Sequence, residues 1–255
     1  MSAIFFDLET SQKDFIGQIL NFAFVQIDDQ WQEISKFCGE IQISPLELPH
    51  PGAILANRID VIDHQKRAKL SEAPAMREIA QYLTEAAASS KKPIPLIGYN
   101  STRFDIPFLR TSMIRNGVNP YIRNIENKDL LHLVRYLSVS NPHFPRECAG
   151  DDSRLSLRLE TITHAFKLLA GAQTHNSLDD VYLTIKLAQY LAEKFHGDIR
   201  HFHAYQAPTG LKKFDAVMTL HPNYDLNAES NFRALPYVFL DEDRGGSLWV
   251  DVEAI

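Results

Sequence analysis

Two carboxylates stand two residues apart at the end of a short apolar segment. Asp7 and Glu9 belong to residues 4–10, whose composition is typical of a buried strand. Because successive side chains of a strand point to opposite faces, both carboxylates point the same way, whereas Phe6 and Leu8 point the other way. Two ionised acids side by side repel each other, and a bound divalent cation relieves that repulsion. The spacing therefore predicts a cation site.

Three later residues extend this pattern. Asp105 ends a segment that begins at Gly98, and Asp180 follows His175 by five positions. Hydrolysis of a phosphodiester needs an activated water, a stabilised leaving oxygen and neutralised charge, which two divalent ions about 4 Å apart supply. All four acids offer the hard oxygen ligands that Mg²⁺ and Mn²⁺ prefer, and a histidine accepts a proton near neutral pH. The set predicts a two-metal site for cutting phosphodiesters.

Each of these residues also has a structural interpretation when it is taken alone. Acids at a strand end are commonly solvated, and the helix macrodipole favours acids such as Asp105 at a helix N-terminus. Ser177 and Asp180 have the spacing of a capping box, and a histidine that precedes a helix is often structural. The functional hypothesis depends on the residues acting together.

The predicted secondary structure brings these residues to the ends of strands and the starts of helices. The chain is expected to form an α/β fold, because a meander of three strands precedes strands that alternate with helices. A mixed central sheet would then be flanked by helices. Two prolines and a glycine predict a loop at residues 48–52. The strands are predicted over residues 4–10, 19–27, 34–43 and 94–99, and the helices over 71–88, from about 104, 129–137, 157–169 and 177–195.

The pattern of apolar residues in the sequence changes after residue 200. Short apolar pieces at residues 238–240 and 247–250 flank an Asp-Arg-Gly-Gly turn at 243–246, which predicts a β-hairpin. We therefore expect one domain over residues 1–200 and a small β-rich C-terminal appendage over 201–255. That extension is either a minimal β appendage or part of a larger structural unit.

Composition restricts the class of protein. The 255 residues are 45% hydrophobic and 23% charged, as in ordinary globular proteins, with no apolar run long enough for a membrane span. Two cysteines are too few for a zinc cluster or a disulfide framework, and no signal peptide is evident, which predicts a cytoplasmic protein. The net charge of −6 argues only weakly against nucleic-acid binding, because carboxylates that bind cations count as negative in that sum.

The three motifs resemble those of a known enzyme family. Asp-x-Glu at residues 7–9, Asn-x-x-x-Phe-Asp at 100–105 and His-x-x-x-x-Asp at 175–180 resemble the motifs of DEDDh (DnaQ-like) 3′–5′ exonucleases. The likeness covers about residues 1–200. More narrowly, the chain resembles the bacterial exodeoxyribonuclease I group in residues 6–10, 51–55, 98–105, 129–131, 158–160 and 180–184.

This resemblance implies a fold and a role for each motif residue. The fold would be the ribonuclease H-like exonuclease fold, in agreement with the predicted elements. Asp7 would bridge two divalent ions, Glu9 and Asp180 would join it on the first, and Asp105 would serve the second. His175 would be the general base. The implied cofactor is a pair of Mg²⁺ ions, with Mn²⁺ as an alternative.

The resemblance also implies a substrate. Single-stranded DNA would be degraded from its 3′ end to 5′-mononucleotides, with Thr10, Asn100 and Arg103 in contact with the substrate. Arg103 fits either a phosphate or a neighbouring carboxylate. An exoribonuclease and a catalytically silent module that binds 3′ ends are the alternatives. The family enzyme carries an SH3-like and a helical domain after its nuclease domain, and residues 201–255 hold at most part of the former, which leaves processivity open.

Overall fold

The computed structural model describes residues 2–141, 144, 148, 154–171, 173, 176–203, 210–243 and 246–251. The chain forms two compact units. The first comprises Met1–Leu130 and Leu168–His201, and the second comprises Leu131–Lys167 and Phe202–Ile255. The division into domains at residue 200 stays a prediction.

A five-stranded mixed sheet forms the centre of the first unit. The strand order is β3-β2-β1-β4-β5. The first three strands form the expected antiparallel meander, whereas β4 runs parallel to β1, and β5 runs parallel to β4. The prediction of an α/β fold with a mixed sheet is therefore confirmed. The strands are β1 (Ala3–Thr10), β2 (Ile19–Ile27), β3 (Glu33–Glu40), β4 (Ile94–Gly98) and β5 (Ile125–Asp129).

Seven helices accompany the strands in the described residues. None of them combines the length and the apolar character that a membrane span requires. They are α1 (Pro51–Ala56), α2 (Val61–Arg67), α3 (Glu72–Ala88), α4 (Asp105–Arg115), α5 (Leu130–Ser140), α6 (Leu159–Ala165) and α7 (Ser177–Phe195).

The two faces of the sheet have different environments. Alternation along β1 sends Phe6 and Leu8 into an apolar core with α3 and α4, and the Phe6 ring stacks on Phe24 at 5.6 Å. Each such buried aromatic side chain contributes about 1.5–3 kcal/mol. The helix α7 packs against β1 and β2. Its first turn carries Asp180 to the face on which Asp7 lies.

The second unit contains a separate antiparallel sheet. Its strands are β6 (Ala216–Pro222), β7 (Phe232–Asp243) and β8 (Gly246–Asp251), in that spatial order. The pairing of β7 with β8 confirms the predicted hairpin. The amide of Asn231 donates to the carbonyl oxygens of Ser138 and Val139, at 3.1 and 2.6 Å, and thereby ties this sheet to the end of α5.

A short helix begins inside the predicted loop. Residues 48–50 lie outside regular structure as expected, but the expectation is wrong for residues 51–52, because α1 begins at Pro51, where the missing N–H of proline costs little. The Nδ1 atom of His50 accepts from the N–H of Gly52 at 3.1 Å and caps the helix. In α2, the Asp60 carboxylate caps the N-terminus in the same way.

A polar strand was also missed. Residues 125–129 pair with the whole length of β4, although their sequence is Ile-Glu-Asn-Lys-Asp and lacks an apolar pattern. Asp129 therefore ends β5, and the helix that was predicted to begin at this residue begins at Leu130 instead. This one-residue difference matters, because it places the Asp129 carboxylate at the edge of the sheet.

The candidate active site

Three neighbouring strands deliver acidic residues to one edge of the sheet. The strands β1, β4 and β5 are parallel, so their carboxyl ends meet there. Near this edge β1 carries Asp7 and Glu9, the loop after β4 leads to Asp105, and β5 ends at Asp129. Sequence positions that lie more than a hundred residues apart are thus gathered by the parallel topology.

Three of the predicted carboxylates form a tight cluster. One oxygen from each of Asp7, Glu9 and Asp180 lies within 4.8 Å of the others. Glu9 is 8% exposed and Asp180 is 4% exposed, whereas Asp7 is half-buried. Buried carboxylates at this separation are unfavourable without a compensating positive charge.

The local structure of α7 explains why Asp180 points into the cluster. The helix begins at Ser177, and the side chain of Asn176 accepts from the N–H of Leu178 at 3.1 Å, so Asn176 is the N-cap. The capping-box interpretation of Ser177 and Asp180 is therefore wrong. Asp179 is exposed, as expected, and Asp180 is buried.

Asp105 adds a fourth carboxylate beside this cluster. It is the first residue of α4 and is 5% exposed. Its charge acts on both Asp7 and Glu9, and of the three neighbouring carboxylates it raises the pKa of Asp7 the most. The backbone N–H of Leu8 donates to the Asp105 carboxylate, which fixes it against β1.

The cluster holds the pKa of its acids far above their ordinary values. Burial raises the pKa of Glu9 to about 8, and the carboxylates of Asp180 and Asp105 add to this effect. Burial and the charges of the other three acids raise the pKa of Asp7 well above its usual range. Burial also raises the pKa of Asp105 to about 7, with a further contribution from Asp129, although two backbone N–H groups partly offset it.

This donor set fits divalent metal ions. Four carboxylates from β1, α4 and α7 supply only hard oxygen ligands, which Mg²⁺ and Mn²⁺ prefer. Burial and the neighbouring carboxylates raise the pKa values of Asp7 and Glu9, and the positive charge of a divalent ion would relieve both effects. The residues that would hold it are Asp7, Glu9, Asp105 and Asp180.

Asp129 supports the loop that leads to Asp105. Its carboxylate accepts from the N–H of Asn100 at 2.8 Å and from the N–H of Thr102 at 3.0 Å. Asn100 has a left-handed backbone with φ of 59°, a conformation that asparagine tolerates better than most residues. The acid lay close to a recognised motif in the sequence, but its contact with this loop follows only from the pairing of β4 with β5.

The three predicted substrate-binding residues lie at the same edge. Asn100 and Arg103 are exposed in the loop after β4. Thr10 is buried, and its hydroxyl donates to the carbonyl oxygen of Gln12 at 2.8 Å. Contact of these residues with a substrate stays a prediction, and the predicted general base, His175, lies outside the described residues.

The chain matches the model of the Exonuclease (RNase T) family over residues 4–188. This match includes Asp7 and Glu9 of β1, Asp105 of α4 and Asp180 of α7. The chain belongs to the Exonuclease family. The resemblance that its motifs indicated is confirmed.

Curated relatives narrow this assignment. The chain is 26% identical over 229 residues to exodeoxyribonuclease I of Buchnera aphidicola, covering 87% of this chain and 46% of the relative. It is 26% identical over 196 residues to exodeoxyribonuclease I of Escherichia coli, covering 73% of this chain and 39% of the relative. The chain thus spans less than half the length of these relatives.

Solved structures confirm the ribonuclease H-like exonuclease fold. E. coli exonuclease I in complex with a dT13 oligonucleotide matches with a TM-score of 0.78 at 22% identity, covering 98% of this chain and 55% of that one. The complex with a dA16 oligonucleotide matches with a TM-score of 0.65 at 26% identity, covering 75% and 41%. Exonuclease I from Methylocaldum szegediense matches with a TM-score of 0.67 at 26% identity, covering 76% and 40%.

Proposed function

We propose that this chain is a metal-dependent 3′–5′ exonuclease that hydrolyses single-stranded DNA to 5′-mononucleotides. The observation that carries the proposal is the cluster of carboxylates from Asp7, Glu9 and Asp180, whose oxygens lie within 4.8 Å of one another. Membership of the Exonuclease family and relatives named exodeoxyribonuclease I support it. Two of the similar structures hold dT13 and dA16 oligonucleotides.

The four carboxylates would hold two divalent ions, Mg²⁺ with Mn²⁺ as an alternative. When bound, such ions supply the positive charge and Lewis acidity that phosphodiester hydrolysis needs. The chain itself fixes the ligands: β1 presents Asp7 and Glu9 on one face, and the N–H of Leu8 orients Asp105. The stem of Asp180 is buried in the first turn of α7, so this ligand is also held by its element.

His175 would act as the general base. It directly precedes Asn176, the N-cap of α7, and stands five positions before Asp180 in the sequence. A neutral imidazole accepts a proton and an imidazolium does not, so activity should rise with pH through the histidine range. The His175→Ala variant should lose that rise.

The loop after β4 would bind the substrate. Arg103 is exposed at the edge where the carboxylates gather, and a guanidinium donates well to phosphate oxygens. The bonds from Asn100 and Thr102 to Asp129 hold this loop in one conformation. Thr10 would contact the substrate from the end of β1. Its hydroxyl already donates to the carbonyl oxygen of Gln12.

A product ladder tests the proposal. A 5′-labelled single strand with Mg²⁺ should shorten from a free 3′ end, and neither a 3′-blocked strand nor a sample with EDTA should shorten. Asp7→Asn should lower the rate by several orders of magnitude, because it removes a predicted ligand of both ions. Asp179→Asn changes an exposed acid in the same helix turn as Asp180 and should keep the parental rate.

Two other outcomes correspond to the alternative functions. A matched RNA strand that is degraded faster than the DNA strand would indicate an exoribonuclease, which must recognise the 2′-hydroxyl. Binding of the labelled strand without any degradation, with or without EDTA, would indicate a silent 3′-end-binding module. Degradation by Asp7→Asn at the parental rate would refute the metal site itself.

A further inference from the structure

A buried amide lies beside the carboxylate cluster and lacks a hydrogen-bond donor. Asn21 of β2 lies directly opposite Glu9 of β1 and is 8% exposed. Within the described residues, the Oδ1 atom of Asn21 and the Oγ atom of Ser101 are the two buried side-chain polar atoms without a partner. Such an atom destabilises the fold and calls for a specific explanation.

The strand pairing places this amide on the face of the cluster. Directly opposite residues of an antiparallel pair share a face, with their Cβ atoms about 4.5–5.5 Å apart. Asp7 and Glu9 lie opposite Ala23 and Asn21 respectively, whereas the neighbouring Phe22 belongs to the apolar core on the other face. The register shift that follows Glu9 is a local irregularity of the kind often found beside functional sites.

The two cross-strand neighbours of Asn21 both carry carboxylates. On one side lies Glu9, and on the other side lies Glu40 of β3, whose carboxylate binds the guanidinium of Arg67 at 2.9 Å. When a divalent ion is bound, Glu9 is ionised, and an ionised carboxylate accepts hydrogen bonds and donates none. A hydrogen-bearing species that the metal-loaded site takes up, of which water is the smallest, would then supply the donor for Oδ1.

We propose that Asn21 is a positioning residue of the metal site, whose Oδ1 atom accepts a hydrogen bond from a water molecule held by a divalent ion at Glu9. This inference rests on the proposed metal-dependent function. Partners of this kind orient the groups that bind the metal ion, and losing one typically lowers metal affinity by about 10–100-fold. Asn21 does so without adding a further negative charge to the four carboxylates.

Binding of Mn²⁺ to the purified protein, followed by the electron paramagnetic resonance signal of the free ion, tests this role without any activity measurement. Asn21→Leu keeps the side-chain volume but removes the acceptor, so Mn²⁺ affinity should fall about tenfold or more. The melting temperature of the metal-free protein should stay equal or rise, because the variant removes a buried polar atom without a partner. Asn21→Asp keeps an acceptor oxygen and should bind Mn²⁺ at least as tightly as the parent.

Ser101→Ala is the matched control. It removes the other buried acceptor, which lies on the Phe6 side of the sheet: a Cβ placed on Gly98 would lie 2.8 Å from Ser101 Oγ and 3.1 Å from the Phe6 ring. This variant should keep the parental Mn²⁺ affinity.

Three results would overturn the proposal for Asn21. Parental Mn²⁺ affinity in Asn21→Leu, together with a lower metal-free melting temperature, would show a purely structural role. Equal loss of affinity in Asn21→Asp and Asn21→Leu would show that the acceptor oxygen is not what matters. If the parent itself takes up no Mn²⁺, both this inference and the proposed function fail, whereas binding that is lost in Asp7→Asn but kept in Asn21→Leu refutes the inference alone.

Discussion

At the scale of single residues, the site is defined by charges that the fold holds together against their repulsion. Asp7, Glu9, Asp105 and Asp180 were predicted from residue type and spacing, and the structure brings all four together. Asn21 was not predicted, because nothing in the local sequence connects it with Glu9; their proximity depends on the register of β1 and β2. Local sequence patterns identify candidate metal ligands. Residues that meet across two strands are identified only once the pairing of those strands is known.

Removing one charge should separate activity from stability. We expect Asp180→Asn to lower the rate of DNA hydrolysis by several orders of magnitude and to raise the melting temperature of the metal-free protein. The reason is that the Asp180 charge opposes ionisation of both Asp7 and Glu9. The measurements are a nuclease assay with Mg²⁺ and thermal unfolding with EDTA.

Asp179→Asn is the control for this pair of effects, since Asp179 is exposed in the same turn of α7. It should keep the parental activity and shift the melting temperature only slightly. An Asp180→Asn protein that is less stable than the parent in EDTA would contradict the expected repulsion.

The stability of the metal-free protein should fall as the pH rises from about 5 to about 8.5. The folded state holds a proton on Glu9 up to a pKa of about 8, whereas an ordinary glutamate releases it near 4.5, so the folded state binds more protons in this window. Saturating Mn²⁺ should abolish the fall, and Glu9→Gln should reduce it. Thermal unfolding across this pH range checks the expectation, and a metal-free melting temperature that rises with pH would refute it.

At the scale of secondary structure, elements with a clear apolar period were predicted well. A short helix that depends on its N-cap and a strand of polar residues were not. The bounds predicted for β2 and α7 agree with the structure, because both have strong patterns and clear ends. The helix α1 was missed because its stability comes from the His50 cap and from Pro51 at the first position, which resemble loop residues in sequence. The strand β5 was missed because its ladder with β4, rather than its composition, makes it a strand.

The contact between β5 and the loop after β4 should control the position of Asp105. We expect Asp129→Asn to lower kcat/KM and to reduce the free energy of unfolding by about 1–3 kcal/mol, because a charged acceptor of two backbone N–H groups is lost. Steady-state kinetics and urea denaturation measure the two effects.

Asp28→Asn is a matched control for this prediction. The Asp28 carboxylate accepts from the N–H groups of Gln30 and Gln32, at 2.8 and 2.9 Å, in the turn at the opposite end of β2. It should lose stability without losing activity. Equal kcat/KM values for Asp129→Asn and the parent would show that the loop does not need this support.

At the scale of the whole molecule, the charge balance should make the proposed DNA binding depend on cations. The chain carries a net charge of −6, and four carboxylates cluster at the edge of the sheet that the proposed function assigns to a phosphate backbone. Bound cations reverse the local sign of such a site. Divalent ions should therefore be needed for affinity as well as for chemistry.

Fluorescence anisotropy with a labelled single strand measures this dependence. We expect tighter binding with Ca²⁺, which also takes oxygen ligands, than with EDTA at the same ionic strength. The difference should shrink in Asp7→Asn, which removes part of the cation site. Equal affinities with Ca²⁺ and EDTA in the parent would show that the DNA surface works independently of the carboxylates.

The most direct measurement of the central claim is an anomalous difference map from a crystal soaked in manganese. The four carboxylates should surround two manganese peaks, with ligands from Asp7, Glu9, Asp105 and Asp180. A map without a peak among these side chains, or with manganese bound only elsewhere, would contradict the assignment of this edge of the sheet as a metal-dependent nuclease site.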